Sequence, residues 1–208
     1  LAYDFQREKV QKVAVYDLGG GTFDVSCLEL TSGLYQVIST NGNTHLGGDD
    51  WDVRVAGRIA QHCEKDLGFS TANDPLSLFR ITEAAELAKR ELSSSSQVTV
   101  QLPFLGLKDG NPVHVNLGLT RDDLNRLCQD LVLKTMEPCR RALNDAGWKP
   151  EDLDAVILVG GMTRSPAVQA AVEDFFKMKP YLKVNPDEAV AVGAAIQASV
   201  LGGTKKDV

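Results

Sequence analysis

Apolar and polar positions near the start of the chain predict a β-meander. Val13 to Tyr16 and Phe23 to Leu30 are rich in β-branched and aromatic side chains and flank a glycine turn, and Leu34 to Gly42 has the same character. Apolar residues then recur at helical spacing, which predicts a helix over about residues 50–67. This part of the chain is therefore expected to form three paired strands followed by a helix.

The middle of the chain predicts a second helix and a pair of strands. From Leu76 to Leu92 the apolar residues again follow the helical period, with Asp74 placed to cap the helix and Pro75 at its first position. From Val98 to Leu119, apolar and polar residues alternate, with an interruption at Lys-Asp-Gly. This pattern predicts two strands joined by a tight turn.

The last third predicts helices around one buried strand. A long helical pattern follows Thr120, a predicted N-cap, and we expect an interruption near Pro138 because proline lacks the amide hydrogen that a helix interior uses. The run Ala155 to Val159 predicts a buried strand, and further helices are predicted near Pro166 and over Asn185 to Leu201. Strands mixed with helices of this length predict an α/β fold.

Composition narrows the class of protein. With 208 residues, 43% hydrophobic and 24% charged, the chain is typical of a globular protein, and no apolar run approaches the roughly 18 residues that span a bilayer. A formal net charge of −6 without a long basic run argues against a nucleic-acid partner. Four scattered cysteines include no Cys-x-x-Cys pair, which argues against a zinc site. Any phosphate ligand is therefore expected to be small.

The glycine turn between the first two strands has the chemistry of a phosphate site. Gly19, Gly20 and Gly21 carry no Cβ atoms, so their amide groups can approach an anion and point the same way. The acids that flank them, Asp17 and Asp24, need not repel a phosphate if Mg²⁺ lies between. The alternative is an ordinary hairpin turn with two solvated acids.

A second glycine pair follows the buried strand of the last third. Gly160 and Gly161 precede Thr163 and Arg164, and a helix is predicted to begin just beyond them. A strand, a glycine turn and a helix in succession allow a nucleotide to approach the backbone closely, although neither standard glycine-rich signature is present.

Four polar residues share one face of the second predicted helix. After Glu86, polar residues follow at three, four and seven positions: Lys89, Arg90 and Ser93. This spacing places all four on the same side of a helix. Such a face can hydrogen-bond a ribose and stack a guanidinium on a base. The alternative is a solvated surface held by salt bridges.

Five segments, in their order and spacing, carry a family resemblance. They are VYDLGGGTFDVS, NGNTHLGGDDWD, EAAELAKRELSSSSQ, VILVGGMTRSPAVQ and NPDEAVAVGAAIQ. Together they resemble the ATPase domain of the seventy-kilodalton heat-shock chaperone family. The resemblance implies an α/β, actin-like ATPase fold, with a ribonuclease H-like β-sheet and flanking helices, of which this chain matches the second lobe. It implies a base subdomain over 1–46 and 120–205, an inserted α+β outer subdomain over 47–119, and the start of an interdomain linker at 206–208.

The resemblance also implies roles for individual residues. Asp17 would lie near Mg²⁺ and its waters, and Asp24 near the attacking water or a K⁺ ion. The phosphates of ATP or ADP would be held by Gly20, Gly21 and Thr22, next to Gly19, with Gly48 near the phosphates and the ribose. The nucleoside would be held by Glu86, Lys89, Arg90, Ser93, Gly160, Gly161 and Arg164, and Asp187 would close the pocket.

By this resemblance, the parent protein couples ATP hydrolysis to the binding and release of unfolded polypeptides. The first lobe, with its catalytic lysine, would precede Leu1, and a peptide-binding domain would follow Val208. We therefore expect the isolated fragment to be a monomer that binds nucleotide weakly and hydrolyses it hardly at all. The expected partners of the parent are clients bound through the missing domain, a J-domain co-chaperone, and a nucleotide-exchange factor on residues 47–119.

The second glycine motif also suggests a cellular compartment, and the two glycine loops leave other functions open. The methionine in GGMTR favours the bacterial and organellar branch, with the mitochondrial matrix preferred over the bacterial cytoplasm or another organelle. A small-molecule kinase of the same actin-like superfamily is an alternative, since it shares the two glycine loops. A filament-forming actin-like protein is a third possibility.

Overall fold

A computed structural model of the chain describes residues 10–31, 34–182 and 185–201. Two compact units divide it, one comprising Leu1–Gly48 with Val132–Val208 and the other Asp49–Leu131. Within the described residues, no helix is both long enough and apolar enough to cross a membrane. The elements in chain order are β1 (Gln11–Leu18), β2 (Phe23–Thr31), β3 (Leu34–Asn43), α1 (Gly48–Lys65), α2 (Pro75–Leu92), β4 (Gln97–Lys108), β5 (Asn111–Thr120), α3 (Arg121–Ala146), β6 (Ala155–Val159), α4 (Pro166–Phe176) and α5 (Ala189–Leu201).

The first unit is built on a four-stranded sheet in the order β3-β2-β1-β6. Neighbours β1, β2 and β3 pair antiparallel, which confirms the predicted meander. In contrast, β1 and β6 run parallel, and Ile157 of β6 forms a further parallel bridge to Tyr181. The sheet and its flanking helices confirm the predicted α/β class.

Apolar side chains pack on both faces of this sheet. On one face Val13, Leu30 and Ile157 belong to a cluster against which Ala189, the first residue of α5, packs. On the other face Tyr16 is buried, and its hydroxyl donates to the Thr135 hydroxyl of α3 at 2.8 Å. All five residues of β6 are buried, because both faces of this strand are covered. Such a strand has a continuous apolar sequence.

The start of α3 is capped as predicted. Thr120 Oγ1 accepts from the Asp123 amide at 3.1 Å, and the Asp123 carboxylate accepts in return from the Thr120 amide at 3.0 Å. This reciprocal pair satisfies two amides that the first turn of a helix leaves open.

The expected interruption at Pro138 is wrong, since α3 continues through it for a total of 26 residues. Proline removes one helical hydrogen bond, at a cost of about 3 kcal/mol. Buried side chains lie on both sides of it, including Leu131, Thr135, Cys139 and Ala142. Their packing holds the helix together across the proline.

The second unit contains α1, α2 and the antiparallel pair β4–β5. Asp74 caps α2 as predicted, since its carboxylate accepts from the amides of Leu76 and Ser77. The predicted turn between the strands is also confirmed. It places Asp109 and Gly110 at φ values of 50° and 79°, the left-handed pair that a two-residue hairpin needs.

Candidate functional site

The glycine turn between β1 and β2 is held by its own backbone and by the loop before α1. Gly19 donates to the Thr22 carbonyl at 3.0 Å, and the Gly48 amide donates to the Gly19 carbonyl at 2.9 Å. A Cβ on Gly47 would lie 2.6 Å from the Gly21 nitrogen, so only glycine fits there. The turn itself is exposed at Gly20 to Thr22. The backbone of this turn is thus held by hydrogen bonds and open to solvent.

The two acids beside this turn lie directly opposite each other, because Asp17 of β1 pairs with Asp24 of β2. Burial raises the pKa of the Asp17 carboxyl above its ordinary value, and the charge of Asp24 raises it further. Like charges in this arrangement are destabilising unless a cation lies near them. A cation beside the pair would therefore favour its ionised form.

The donor set fits Mg²⁺ better than a metal held by protein alone. Among the residues that the structure describes, no group of three or more His, Cys, Asp or Glu side chains could hold a metal ion. Mg²⁺ commonly keeps several waters and binds through one or two carboxylates together with phosphate oxygens. Two carboxylates beside an exposed glycine cradle match that pattern.

The second glycine turn lies at the same edge of the sheet as the first. Because β1 and β6 are parallel neighbours, with Asp17 opposite Val159, both turns follow the carboxyl ends of adjacent strands. Gly160 has a φ of 86°, and a Cβ on it would lie 2.7 Å from Asp17 Oδ1. Crevices at this edge of a parallel sheet are the usual ligand sites of α/β proteins. The turns, far apart in sequence, converge on Asp17.

A hydrogen-bonded clamp supports the second turn. The Gly160 amide donates to the Pro186 carbonyl at 3.0 Å, which ties the turn to the segment before α5. The Arg164 guanidinium donates to Asp187 Oδ2 at 2.6 Å and to Asn185 Oδ1 at 3.1 Å. The structure thus brings Arg164 and Asp187 together. Asn185 was missed from the sequence, where its position before Pro186 suggested only a helix start.

In the second unit, the polar face of α2 is more divided than its spacing suggests. Lys89 reaches Asp52 of α1 at 2.7 Å, and their side chains are only 11% and 12% exposed. Arg90 stays exposed and lies 3.7 Å from Glu86. Ser93 is the C-cap residue of α2. The salt bridges expected for a structural surface, the alternative to a nucleoside site, are therefore present on this face.

Sequence reasoning missed Asp52 of α1, which is the ion-pair partner of Lys89. It is buried, and its Oδ1 atom has no hydrogen-bond partner within the described residues. Burial raises the pKa of its carboxyl, while the hydrogen bond and the charge of Lys89 lower it. The one signal in the sequence is its position near the start of α1, just after a glycine pair and two other acids.

We expect Asp17→Asn to stabilise the folded chain at neutral pH by up to about 1 kcal/mol, the upper range for cross-strand charge pairs. The folded-state pKa of Asp17 is raised, so its ionisation costs stability as the pH rises through that value. The gain should be present at pH 7 and vanish below the ordinary carboxyl pKa of 3.8. Urea denaturation between pH 3 and 8 measures it.

The control is Glu64→Gln, which removes an exposed acid from α1. Its effect on the free energy of unfolding should be small. A gain for Asp17→Asn that persists at pH 3 would contradict the electrostatic origin.

One comparison with known proteins bears on this geometry. The family model described as Hsp70 protein matches residues 1–208, the whole chain. The mixed α/β sheet flanked by helices is that of the actin-like ATPase fold of this family. The chain belongs to the Hsp70 family, chaperone ATPases that bind ATP or ADP with Mg²⁺ and generally work with unfolded clients and co-chaperones.

Proposed function

We propose that this chain is the second, ATP-binding lobe of a chaperone ATPase, with subdomain boundaries near residues 46 and 120. One observation carries the proposal: two glycine turns from parallel neighbouring strands converge on the Asp17 carboxylate. This combination offers backbone donors for phosphate and an acid for a metal at one sheet edge. The family match favours this function over a small-molecule kinase or a filament-forming protein.

In the proposed mechanism, the chain's own residues bind and orient. The amides of Gly20 and Gly21 and the hydroxyl of Thr22 donate to the β- and γ-phosphates. Bound Mg²⁺ would neutralise phosphate charge. Asp17 would hold Mg²⁺ through its water shell, and Asp24 would orient the attacking water or hold K⁺. Phosphoryl transfer needs chiefly such positioning and electrostatic stabilisation.

We propose that two further groups of residues bind the nucleoside. In the first unit, the Arg164–Asp187 ion pair and the hydrogen-bonded turn beside it give a backbone surface on which a base can pack. In the second unit, the polar face of α2 offers charged donors and acceptors for ribose and adenine. The proposed residues are Gly48, Gly160, Gly161, Arg164 and Asp187, and Glu86, Lys89, Arg90 and Ser93.

The proposal is tested by calorimetric titration of the chain with ADP, with and without Mg²⁺. We expect weak binding that Mg²⁺ strengthens, because a cation relieves the repulsion between the acids and the phosphates. Asp17→Asn should reduce this Mg²⁺ dependence by about tenfold, the loss expected for one charge-assisted contact. The matched control, Asp145→Asn, removes an exposed acid of α3.

Equal Mg²⁺ dependence in Asp17→Asn and the native chain would contradict the role of Asp17. We also propose that the isolated chain lacks significant turnover, since in this proposal a first lobe supplies the remaining catalytic groups. Steady-state phosphate release by the chain measures this. Turnover equal to that of an intact family member would overturn that part of the proposal.

We propose that an exchange factor docks on the second unit, at a strained aromatic residue. Phe104 is 68% exposed and has a φ of 50°, a conformation that costs a bulky residue about 1–3 kcal/mol. Arg80 holds it by donating to the Phe104 carbonyl at 2.6 Å, and His114 Nδ1 accepts from its amide at 3.2 Å. Exposed aromatic residues held in one conformation are common anchors of protein interfaces.

Phe104→Ala is expected to weaken exchange-factor binding at least tenfold. Truncating a hot-spot aromatic residue to alanine typically costs about 2 kcal/mol or more of binding free energy. Deletion of Gly106–Pro112 should abolish binding in a pull-down assay. Leu133→Ala removes an exposed apolar side chain of α3 and should leave binding unchanged. Retained binding in both Phe104→Ala and the deletion would exclude this surface.

The compartment and remaining partners are proposed on resemblance alone. We propose the mitochondrial matrix, with the bacterial cytoplasm or another organelle as the alternative, because Met162 follows the second glycine pair. We propose that a J-domain co-chaperone and unfolded clients act on the parent protein. Cell fractionation and co-purification of the parent with a J-domain protein are the corresponding measurements.

A further inference from the structure

The buried ion pair between α1 and α2 is not accounted for by stability. Asp52 and Lys89 meet at 2.7 Å with nearly buried side chains, and Asp52 Oδ1 has no partner within the described residues. Burying two charges costs desolvation energy that an incompletely hydrogen-bonded pair does not recover, so an apolar pair of the same volume is often more stable. An unsatisfied buried oxygen calls for an explanation of its own.

The surroundings of the pair restrain Asp52 from several sides. Glu86 of α2 and Asp49 of α1 place negative charge around its carboxylate, and Lys89 supplies the compensating cation. Lys89 is thus drawn toward α1, while its neighbour Arg90 remains exposed near Glu86. The ion pair with Asp52 reduces the number of rotamers open to the flexible lysine stem. The carboxylate therefore restricts the positions from which Lys89 can act.

We propose that Asp52 is a positioning residue for nucleotide recognition: it holds the Lys89 ammonium where the polar face of α2 receives the nucleoside. This inference rests on the proposed function, in which that face binds ribose and adenine. Asp52 itself touches no ligand, since its carboxylate is turned into the buried pair. It acts by restricting Lys89 before binding, which reduces the entropy that binding must overcome.

The first experiment measures Lys89 without any nucleotide. The chain is treated with acetic anhydride, and acetylation of Lys89 is quantified by mass spectrometry. Lys89 should react slowly in the native chain and severalfold faster in Asp52→Asn. The control Asp130→Asn removes the acid of the exposed Arg54–Asp130 pair, formed at 2.9 Å in the same unit, and should leave Lys89 unchanged. Unchanged reactivity in Asp52→Asn would overturn the inference.

The second experiment compares two ligands that share phosphate chemistry. ADP and inorganic tripolyphosphate are titrated into the native chain and each variant with Mg²⁺. Asp52→Asn should weaken ADP binding by about tenfold, as expected for one poorly placed charged contact, and leave tripolyphosphate binding unchanged. Asp52→Glu keeps the charge but shifts it by one methylene, and should give an intermediate loss for ADP. A purely structural defect would weaken both ligands.

The outcomes separate this inference from the function on which it rests. If Asp52→Asn and Lys89→Met both leave ADP binding unchanged, the α2 face does not bind the nucleoside and that part of the proposed function fails. If Lys89→Met weakens ADP binding but Asp52→Asn does not, the inference alone fails. Equal weakening of ADP and tripolyphosphate by Asp52→Asn would likewise overturn the positioning role.

Discussion

Gly160→Ala is expected to destabilise the first unit by about 3–5 kcal/mol, combining backbone strain with overpacking. Gly160 has a φ of 86° and a ψ of 144°, a combination open essentially only to glycine. An alanine Cβ would also lie 2.5 Å from the Leu18 carbonyl carbon and 2.7 Å from Asp17 Oδ1. Relief would require the end of β1 to move. Denaturation by guanidinium, followed by circular dichroism, measures the change.

Gly147→Ala is the matched control for this prediction. Gly147 also has a positive φ, 69°, but a Cβ there meets nothing within 4 Å. It should therefore lose only the conformational cost, about 1 kcal/mol. Equal losses in the two variants would show that the close approach of Gly160 to β1 carries no energy. The Mg²⁺ dependence of ADP binding should fall in Gly160→Ala and stay unchanged in Gly147→Ala.

Lys89→Met should have the second large effect, a loss of about 3 kcal/mol at pH 7, since removing one partner of a buried pair leaves an uncompensated charge. The Asp52 carboxylate would then be buried with neither oxygen paired. Its pKa, already raised by burial, would rise further without the lysine. The raised folded-state pKa makes the deficit largest above that value. The deficit should shrink as the pH falls toward the ordinary carboxyl pKa of 3.8.

Two further variants test this origin of the deficit. The double variant Asp52→Asn with Lys89→Met removes the buried charge and should recover most of the lost stability. Arg54→Met breaks the Arg54–Asp130 pair, whose side chains are 45% and 50% exposed, and should cost less than about 1 kcal/mol. A deficit in Lys89→Met that is independent of pH, or no recovery in the double variant, would argue against a stranded carboxylate.

Local features of the fold were predictable because their causes lie within a few residues. The cap at Asp74 and the capping pair of Thr120 and Asp123 involve partners two or three positions away. The Asp109–Gly110 turn follows from residues that tolerate positive φ. Pro138 shows the limit of such reasoning. Its local preference was overridden by packing on both sides of it, which the sequence does not display.

The candidate site was predictable in its parts but not in its assembly. The glycines and acids predicted phosphate and metal chemistry because amides beside glycines can approach an anion and carboxylates bind Mg²⁺, with an ordinary hairpin turn as the alternative. The spacing of Lys89 on α2 predicted a polar face, but not its partner on α1, 37 positions earlier. The contact of Gly47 with Gly21 was likewise invisible, since the sequence gives no distance between two loops.

The sequence by itself predicted most of the strands and helices, their caps and turns, and the resemblance to the family, and it proposed which residues bind phosphate. These depend on backbone preference, on side chains a few positions apart, and on motifs in a fixed order. Only the tertiary structure decided that β1 and β6 are neighbours, which joins segments as far apart as Lys12 and Asp154, 142 positions away. It also decided that Asp52 meets Lys89. Such contacts form where burial of two apolar surfaces exceeds the entropy of closing a long loop, and that balance is set by the whole fold.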